Sequence, residues 1–270
     1  MKEFVFINGQ VFSEGFPLRS LFYGEGVFET FRWRGTHPVL WNNHMERMKM
    51  GAKLLCIPFP QPQNTLVDIE KAVLEAKITD AYVKICLLSK GGSFFYEAPQ
   101  ESTLLVVVRE YQTPKEPVKV HISSFRRNSS SPLSTIKSLN YLENIVARRE
   151  AMGLGFDEGV FLNEAGEVAE ATASNIFWLK KGVLYTPSLE CGVLPGVIRA
   201  LLIETARDLG IEVVEGKFSL SGLLSSQGVF LTNSLMGIAS VAQIVEHKID
   251  DGSSEALRLK TSILEKLNWL

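Results

Sequence analysis

Lys137 stands in Ser134-Thr135-Ile136-Lys137-Ser138-Leu139-Asn140-Tyr141-Leu142, between apolar neighbours and just ahead of a helix-like run. Desolvation at the edge of a core disfavours the charged form of a lysine and pulls its pKa down. A neutral amine is what a nucleophile needs to form a Schiff base with a carbonyl cofactor. Taken alone, the same residue also reads as a side chain snorkelling to the surface. Schiff-base chemistry would need three further parts: a carboxylate to keep a ring nitrogen protonated, a cradle for a phosphate and a cationic anchor.

The chain holds a candidate for each. Glu170 lies in Val168-Ala169-Glu170-Ala171-Thr172-Ala173-Ser174-Asn175-Ile176-Phe177-Trp178, where the small residues 171–174 leave room beside a carboxylate for a flat ring. The bland alternative is a solvated turn glutamate. In Leu194-Pro195-Gly196-Val197-Ile198-Arg199 a Pro-Gly turn opens a helix. The N–H groups of Val197 and Ile198 then point outward at the positive end of the helix dipole, an anion site or simply a helix start. Leu231-Thr232-Asn233-Ser234-Leu235-Met236-Gly237 carries a buried strand into polar side chains and a glycine turn, suited to phosphate contacts or to an ordinary turn. Arg47, in His44-Met45-Glu46-Arg47-Met48, points off one face of a helix. It could clamp an oxyanion bidentately or pair with a neighbouring acid.

These residues need a scaffold, and 270 residues suffice for a sizeable core in one or two domains. With 46% hydrophobic and 21% charged residues the chain is an ordinary globular sequence, and its net charge of -2 disfavours a polyanionic partner such as nucleic acid. The three cysteines, Cys56, Cys86 and Cys191, are too far apart for a CxxC zinc site and suit reduced thiols, so no metal is expected. Residues 1–9 lack the apolar core of a signal peptide, and no apolar run approaches the ~20 residues of a membrane span. A cytoplasmic location is the expectation.

Phe4 to Phe12 reads as a hairpin with a type I′ turn at Asn8-Gly9. Strands are expected over 24–33, 39–41, 82–88, 103–108 and 118–123. Helices are expected over 44–55, with Asn43 as N-cap, and over 64–76. The polar, breaker-rich segment Arg126 to Pro132 marks the best boundary, dividing a domain of residues 1–125 from one of residues 126–270. Beyond it come a helix over 139–152, short strands over 159–162, 167–170, 175–179 and 183–186, a helix over 196–209, a strand over 229–232 and an amphipathic helix over 254–267. This mixture is a two-domain α+β or α/β protein with a cleft between the domains.

In their joint presence and order these motifs resemble the class IV aminotransferase family, the pyridoxal-phosphate enzymes of fold type IV (D-amino-acid aminotransferase-like). That family includes branched-chain and D-amino-acid aminotransferases and 4-amino-4-deoxychorismate lyases. The resemblance runs from Ile7-Asn8-Gly9 to Ser240-Val241. Its most specific parts are His44-Met45-Glu46-Arg47, Ile136-Lys137-Ser138-Leu139-Asn140, Glu170 to Phe177 and Leu194 to Arg199. It implies that Lys137 forms the Schiff base with pyridoxal 5'-phosphate and then moves the proton, and that Glu170 pairs with the pyridinium nitrogen. Arg47, the N–H groups of Val197 and Ile198, and Asn233-Ser234 would hold the phosphate, and Leu194 would lie against the ring. Tyr141 would reach the cofactor's 3′-oxygen, although its spacing from the lysine differs from that of branched-chain members. Many relatives carry Thr where Ile198 stands, which leaves only the backbone donor there.

Within the family, an RxH arrangement that holds the substrate carboxylate in D-amino-acid aminotransferases is missing from Ser89-Lys90-Gly91-Gly92-Ser93-Phe94-Phe95-Tyr96. Asn233-Ser234-Leu235-Met236 replaces the Gly-Thr pair of branched-chain members and, with Asn175-Ile176-Phe177-Trp178, looks like the lyases. The resemblance therefore leans to a lyase that releases pyruvate and 4-aminobenzoate, although an arginine common in lyases is absent after Lys90. A branched-chain type transaminase is the alternative, and a catalytically idle relative the third. Phe28 and Thr30 are the candidate substrate contacts for a small amino compound. A homodimer is implied.

Overall fold

The computed structural model describes residues 5–7, 10–12, 16–60, 62–92, 94–249 and 253–269. The chain forms two compact units. The first comprises residues 1–37, 42–110 and 136–140, and the second residues 38–41, 111–135 and 141–270.

In the first unit β1 (Val5–Ile7) and β2 (Gln10–Phe12) pair antiparallel, with Ile7 opposite Gln10. The type I′ turn expected at Asn8-Gly9 lies outside the described residues. A short helix not read from the sequence, α1 (Leu18–Tyr23), precedes β3 (Gly26–Arg34). No strand forms over 39–41. Pro38 instead accepts from the Trp41 N–H, and α2 (Trp41–Leu54) starts there, ahead of the expected Asn43 cap. After α3 (Pro62–Ala76) come β4 (Asp80–Lys90) and β5 (Glu101–Glu110), and β3, β4 and β5 form an antiparallel sheet in that order. Val27, Phe31, Ala81, Val83, Ile85 and Leu87 are buried on one sheet face, as the period-2 alternation of a strand requires. Phe28, Thr30, Lys84 and Cys86 belong to the other face, with Phe28 opposite Cys86 and Thr30 opposite Lys84.

Segment 136–140 belongs to this unit although it is remote in sequence. The Phe28 N–H donates to the Lys137 carbonyl, and the Leu139 N–H donates to the Gly26 carbonyl, each at 2.9 Å. This pairing holds residues 137–139 extended along β3, so the helix expected from residue 139 starts only at 142. Gly26 permits the approach: a Cβ there would lie 2.5 Å from Leu139 Cδ1 and 2.9 Å from the Leu87 carbonyl.

The second unit consists of β6 (Val118–Arg127), α4 (Leu142–Gly153), β7 (Glu158–Asn163), β8 (Val168–Ala171), β9 (Asn175–Lys180), β10 (Val183–Pro187), α5 (Val197–Asp208), β11 (Val213–Gly216), α6 (Leu220–Leu224), β12 (Gly228–Asn233), β13 (Gly237–Ile244), β14 (His247–Lys248) and α7 (Ser254–Lys266). Its sheet runs β11-β10-β9-β12-β13-β6-β7-β8, with β14 on β13, and mixes parallel and antiparallel pairs. The point 125/126 falls inside β6, and Arg127 is buried, because this strand continues into parallel pairing with β7 as far as Asn163. Against one side of the sheet lie α5 and α7, through Ile198, Leu202, Leu259 and Ile263. A second cluster forms around Val160, Ile176, Trp178 and Leu231. The strands of this cluster are near-continuous apolar runs, the pattern of a sheet covered on both faces.

Candidate active site

The first unit carries Lys137. Its Nζ lies 4.6 Å from the centroid of the Phe28 ring, and Lys84 Nζ lies 4.3 Å from the same centroid. Phe28 is buried, whereas Thr30, two residues along the same face, is half-buried. The lysine and both candidate substrate residues thus share one face of the three-stranded sheet.

Arg47 belongs with the opposite sheet face. Glu29 is fully buried there, and α2 turns two residues onto it. Arg47 donates from Nε to Oε1 at 2.7 Å and from Nη2 to Oε2 at 2.6 Å, and His44 Nδ1 lies 2.7 Å from Oε2. Burial alone would raise the Glu29 carboxyl, but the charge and hydrogen bonds of Arg47 and His44 outweigh it and hold the group at about 2. The bidentate edge of Arg47, which the sequence offered to an oxyanion, is therefore occupied by Glu29.

The other candidates lie in the second unit. Glu170 is not a turn residue but a buried side chain of β8. Its Oε2 accepts from the Leu194 N–H at 3.0 Å and from Asn175 Nδ2 at 3.4 Å, and its Oε1 lies 3.3 Å from Arg127 Nη2. The Asn175 amide also donates to the Leu194 carbonyl at 3.0 Å, tying the carboxylate to the loop that opens α5. Gly196 is required in that loop, because a Cβ would fall 1.9 Å from Asn175 Oδ1. Gly196 caps α5 with extended backbone, and its carbonyl takes the Ala200 N–H. The N–H groups of Val197 and Ile198, in the first turn, have no acceptor within the helix. The first turn of α5 is the part of this unit whose backbone N–H groups and dipole could receive an anion.

Two further candidates, Asn233 and Tyr141, have partners within the chain. Asn233 donates from Nδ2 to the Ser174 hydroxyl at 3.0 Å and to the Ala173 carbonyl at 3.2 Å, and its Oδ1 accepts from the Leu235 and Met236 N–H groups at 3.0 Å. Its amide closes the turn, leaving the neighbouring half-buried Ser234 as the segment's hydroxyl donor. Tyr141 donates its hydroxyl proton to the Thr172 carbonyl at 3.0 Å, beside an Asn144 bond to the same oxygen at 2.6 Å. A phenol has one proton, so toward a 3′-oxygen Tyr141 acts only as an acceptor while that bond stands.

Sequence reasoning missed Arg127, Asn175 and Thr172. Thr172 is buried and bonds to Glu158, which in turn pairs with Arg148. A buried asparagine that begins an apolar strand was the available signal for Asn175. Among the described residues no group of His, Cys, Asp or Glu could hold a metal ion, and no helix is long and apolar enough to cross a membrane.

The family model for class IV amino-transferases matches residues 26–244, a span that contains every one of these side chains. The chain belongs to the class IV aminotransferase family. It is 33% identical to the aminodeoxychorismate lyase of Bacillus subtilis (strain 168), over 97% of this chain and 92% of that protein. The crystal structure of a Legionella pneumophila protein assigned as a 4-amino-4-deoxychorismate lyase superposes with a TM-score of 0.88 at 30% identity, covering 92% of this chain and 93% of that one. The branched-chain aminotransferase of the thermophilic archaeon Thermoproteus uzoniensis, solved with norvaline, superposes with a TM-score of 0.85 at 26% identity, covering 98% and 95%. This member of the class IV aminotransferase family therefore has the expected fold, and it is an enzyme of a family that holds both lyases and transaminases.

Proposed function

We propose that this enzyme binds pyridoxal 5'-phosphate and converts 4-amino-4-deoxychorismate to pyruvate and 4-aminobenzoate. The observation that carries the lyase reading is the 33% identity to the Bacillus subtilis aminodeoxychorismate lyase over nearly the whole chain. The residues fit the cofactor. Glu170 is a buried carboxylate, suited to a protonated ring nitrogen, and Lys137 supplies an amine for an aldehyde carbon. The first N–H groups of α5 and the Ser234 hydroxyl suit a phosphate, and Arg47, whose bidentate edge is held by Glu29, would contribute only its charge. Leu194 would lie against the ring.

Bound pyridoxal phosphate would supply an electron sink beside the amine-bearing carbon of the substrate. Lys137 Nζ takes the proton from that carbon, and in its protonated form it is the acid available to the departing enolpyruvyl group. Loss of pyruvate leaves an aromatic ring, which makes the step downhill. Phe28, under the Lys137 nitrogen, keeps one side of the amine away from water. Thr30 is the polar substrate contact on the same face.

The test offers the purified enzyme, with pyridoxal phosphate, either aminodeoxychorismate or a panel of amino acids with 2-oxoglutarate. Aminobenzoate and pyruvate in equal amounts, without glutamate, are expected. Glutamate formation would instead make it a transaminase of the branched-chain type, and no turnover of either would make it an idle relative. The reading also carries a place in folate biosynthesis and a cytoplasmic homodimer. The exposed aromatic cluster of Phe22, Tyr23, Phe95 and Tyr96 supplies the kind of surface a second copy covers, and light scattering of the purified protein decides the dimer.

A further inference from the structure

Arg127 ends β6 in an unusual position for an arginine. It is 9% exposed, its guanidinium carbon lies 4.2 Å from the centroid of the Phe161 ring, and its Nη2 lies 3.3 Å from Glu170 Oε1. Its Nη1 makes only long contacts, at 3.4 Å, to Glu143 Oε2 and Asn144 Oδ1. Neither Nε nor Nη2 makes a hydrogen bond, so the contact with Glu170 is a charge pair without donor alignment. A buried guanidinium with two unmade hydrogen bonds is expensive to keep unless its charge is needed.

We propose that Arg127 acts through Glu170, as the counter-charge that keeps this buried carboxylate ionised and turned toward the ligand it would meet. The surroundings support that assignment. Facing Glu170 are Arg127 from β6, the neutral amide of Asn175 from β9 and the Leu194 N–H from the loop before α5. Glu143 of α4 meets Arg127 at Nη1, with its side chain 70% exposed, so water screens it. Arg148 of α4 is paired with Glu158, and the Cys191 thiol, pushed up by burial, lies against Glu167. Of the two arginines in these contacts, Arg127 is the one set on Glu170. With Arg127 in place, the proton in a Glu170–pyridinium pair stays on the ring nitrogen, because a carboxylate beside a guanidinium is the weaker base.

The role toward the ring nitrogen rests on the proposed cofactor, whereas the ionisation of Glu170 does not. The apo protein is therefore titrated by infrared difference spectroscopy, with the Glu170 carboxyl band assigned through Glu170→Gln. The midpoint in Arg127→Met should lie about one pH unit or more above wild type, while Arg127→Lys, which keeps the charge, stays close to wild type. Superimposable titrations of wild type and Arg127→Met would overturn the proposal. Should Arg127→Met fail to fold, Arg127→Gln carries the same expectation. Binding of pyridoxal phosphate against its 1-deaza analogue, at a pH between the two midpoints, reads the second step. Wild type should favour pyridoxal phosphate, and Arg127→Met should lose roughly tenfold of that preference. No preference in wild type would refute the pairing of Glu170 with a ring nitrogen, and the infrared result would still decide what Arg127 does.

Discussion

Arg47 grips Glu29 by two parallel hydrogen bonds, 2.7 Å from Nε and 2.6 Å from Nη2, at a point where the carboxylate has no exposure to solvent. The pair joins α2 to β3, the strand along which the Lys137 segment lies. It fixes the arginine, and the two charge-assisted hydrogen bonds offset the side-chain entropy lost in ordering it.

A pH dependence follows from it. The folded Glu29 carboxyl, at about 2, lies below its ordinary 4.5, so the group stabilises the fold fully above about pH 4.5 and loses that contribution as the pH falls to about 2. The contribution is on the order of 3 kcal/mol. Glu29→Gln should unfold with a flatter dependence on acid than wild type between those limits. It should also be less stable by about 3 kcal/mol at neutral pH, because the half-buried Arg47 loses its anion. Urea unfolding from pH 2 to pH 7 measures both, and parallel curves for the two proteins would contradict the assignment.

Gly196→Ala should damage the loop before α5. The new Cβ would displace the Asn175 amide, which lies 1.9 Å from that position and holds both Glu170 and the Leu194 carbonyl. A loss of about 1–3 kcal/mol of stability is expected, with weakened binding of pyridoxal phosphate, read by thermal unfolding and by fluorescence titration.

These two sites differ in how much of them the sequence revealed. The alternation of Val27, Glu29 and Phe31 and the helical spacing of Met45, Met48 and Ala52 place Arg47 on α2 and Glu29 on β3 without a structure. Their bidentate pairing joins residues 18 apart, and nothing local specifies it. Lys137 lay on legible ground as a residue, but its backbone did not. Pairing with Gly26 and Phe28 overrode the helical pattern from Leu139 onward. Arg127 was hidden most completely. Arg126, Asn128 and three serines around it have the composition of a linker, and only the parallel pairing of β6 with β7 takes that side chain inside.

Tyr141→Phe removes the bond to the Thr172 carbonyl while Asn144 retains its own. The expected cost is about 1 kcal/mol, seen as a lower Tm. Cofactor absorbance should respond far less than the stability does, because the phenol's proton belongs to Thr172. A large spectral shift without a stability change would reverse that order.

Arg19 is buried and holds residues 94–97, at the end of the loop that lacks the RxH arrangement. It binds Glu25 through Nε at 2.5 Å and Nη2 at 3.0 Å, and it donates to the carbonyls of Phe94, Phe95 and Glu97 at 2.9, 3.2 and 2.7 Å. Arg19→Met should free residues 94–97 to protease cleavage and lower stability by about 3 kcal/mol or more, because Glu25 loses its cation. Limited proteolysis with peptide mapping gives the answer, and an uncut loop would show that other contacts hold it.

The central claim concerns Lys137, and one measurement reaches it directly. The protein is incubated with pyridoxal phosphate, reduced with borohydride, digested and mapped by mass. A single phosphopyridoxyl adduct on the peptide containing Lys137, absent from Lys137→Ala, is the predicted result. An adduct on Lys84, which shares the Phe28 ring, or no adduct at all, would contradict the account.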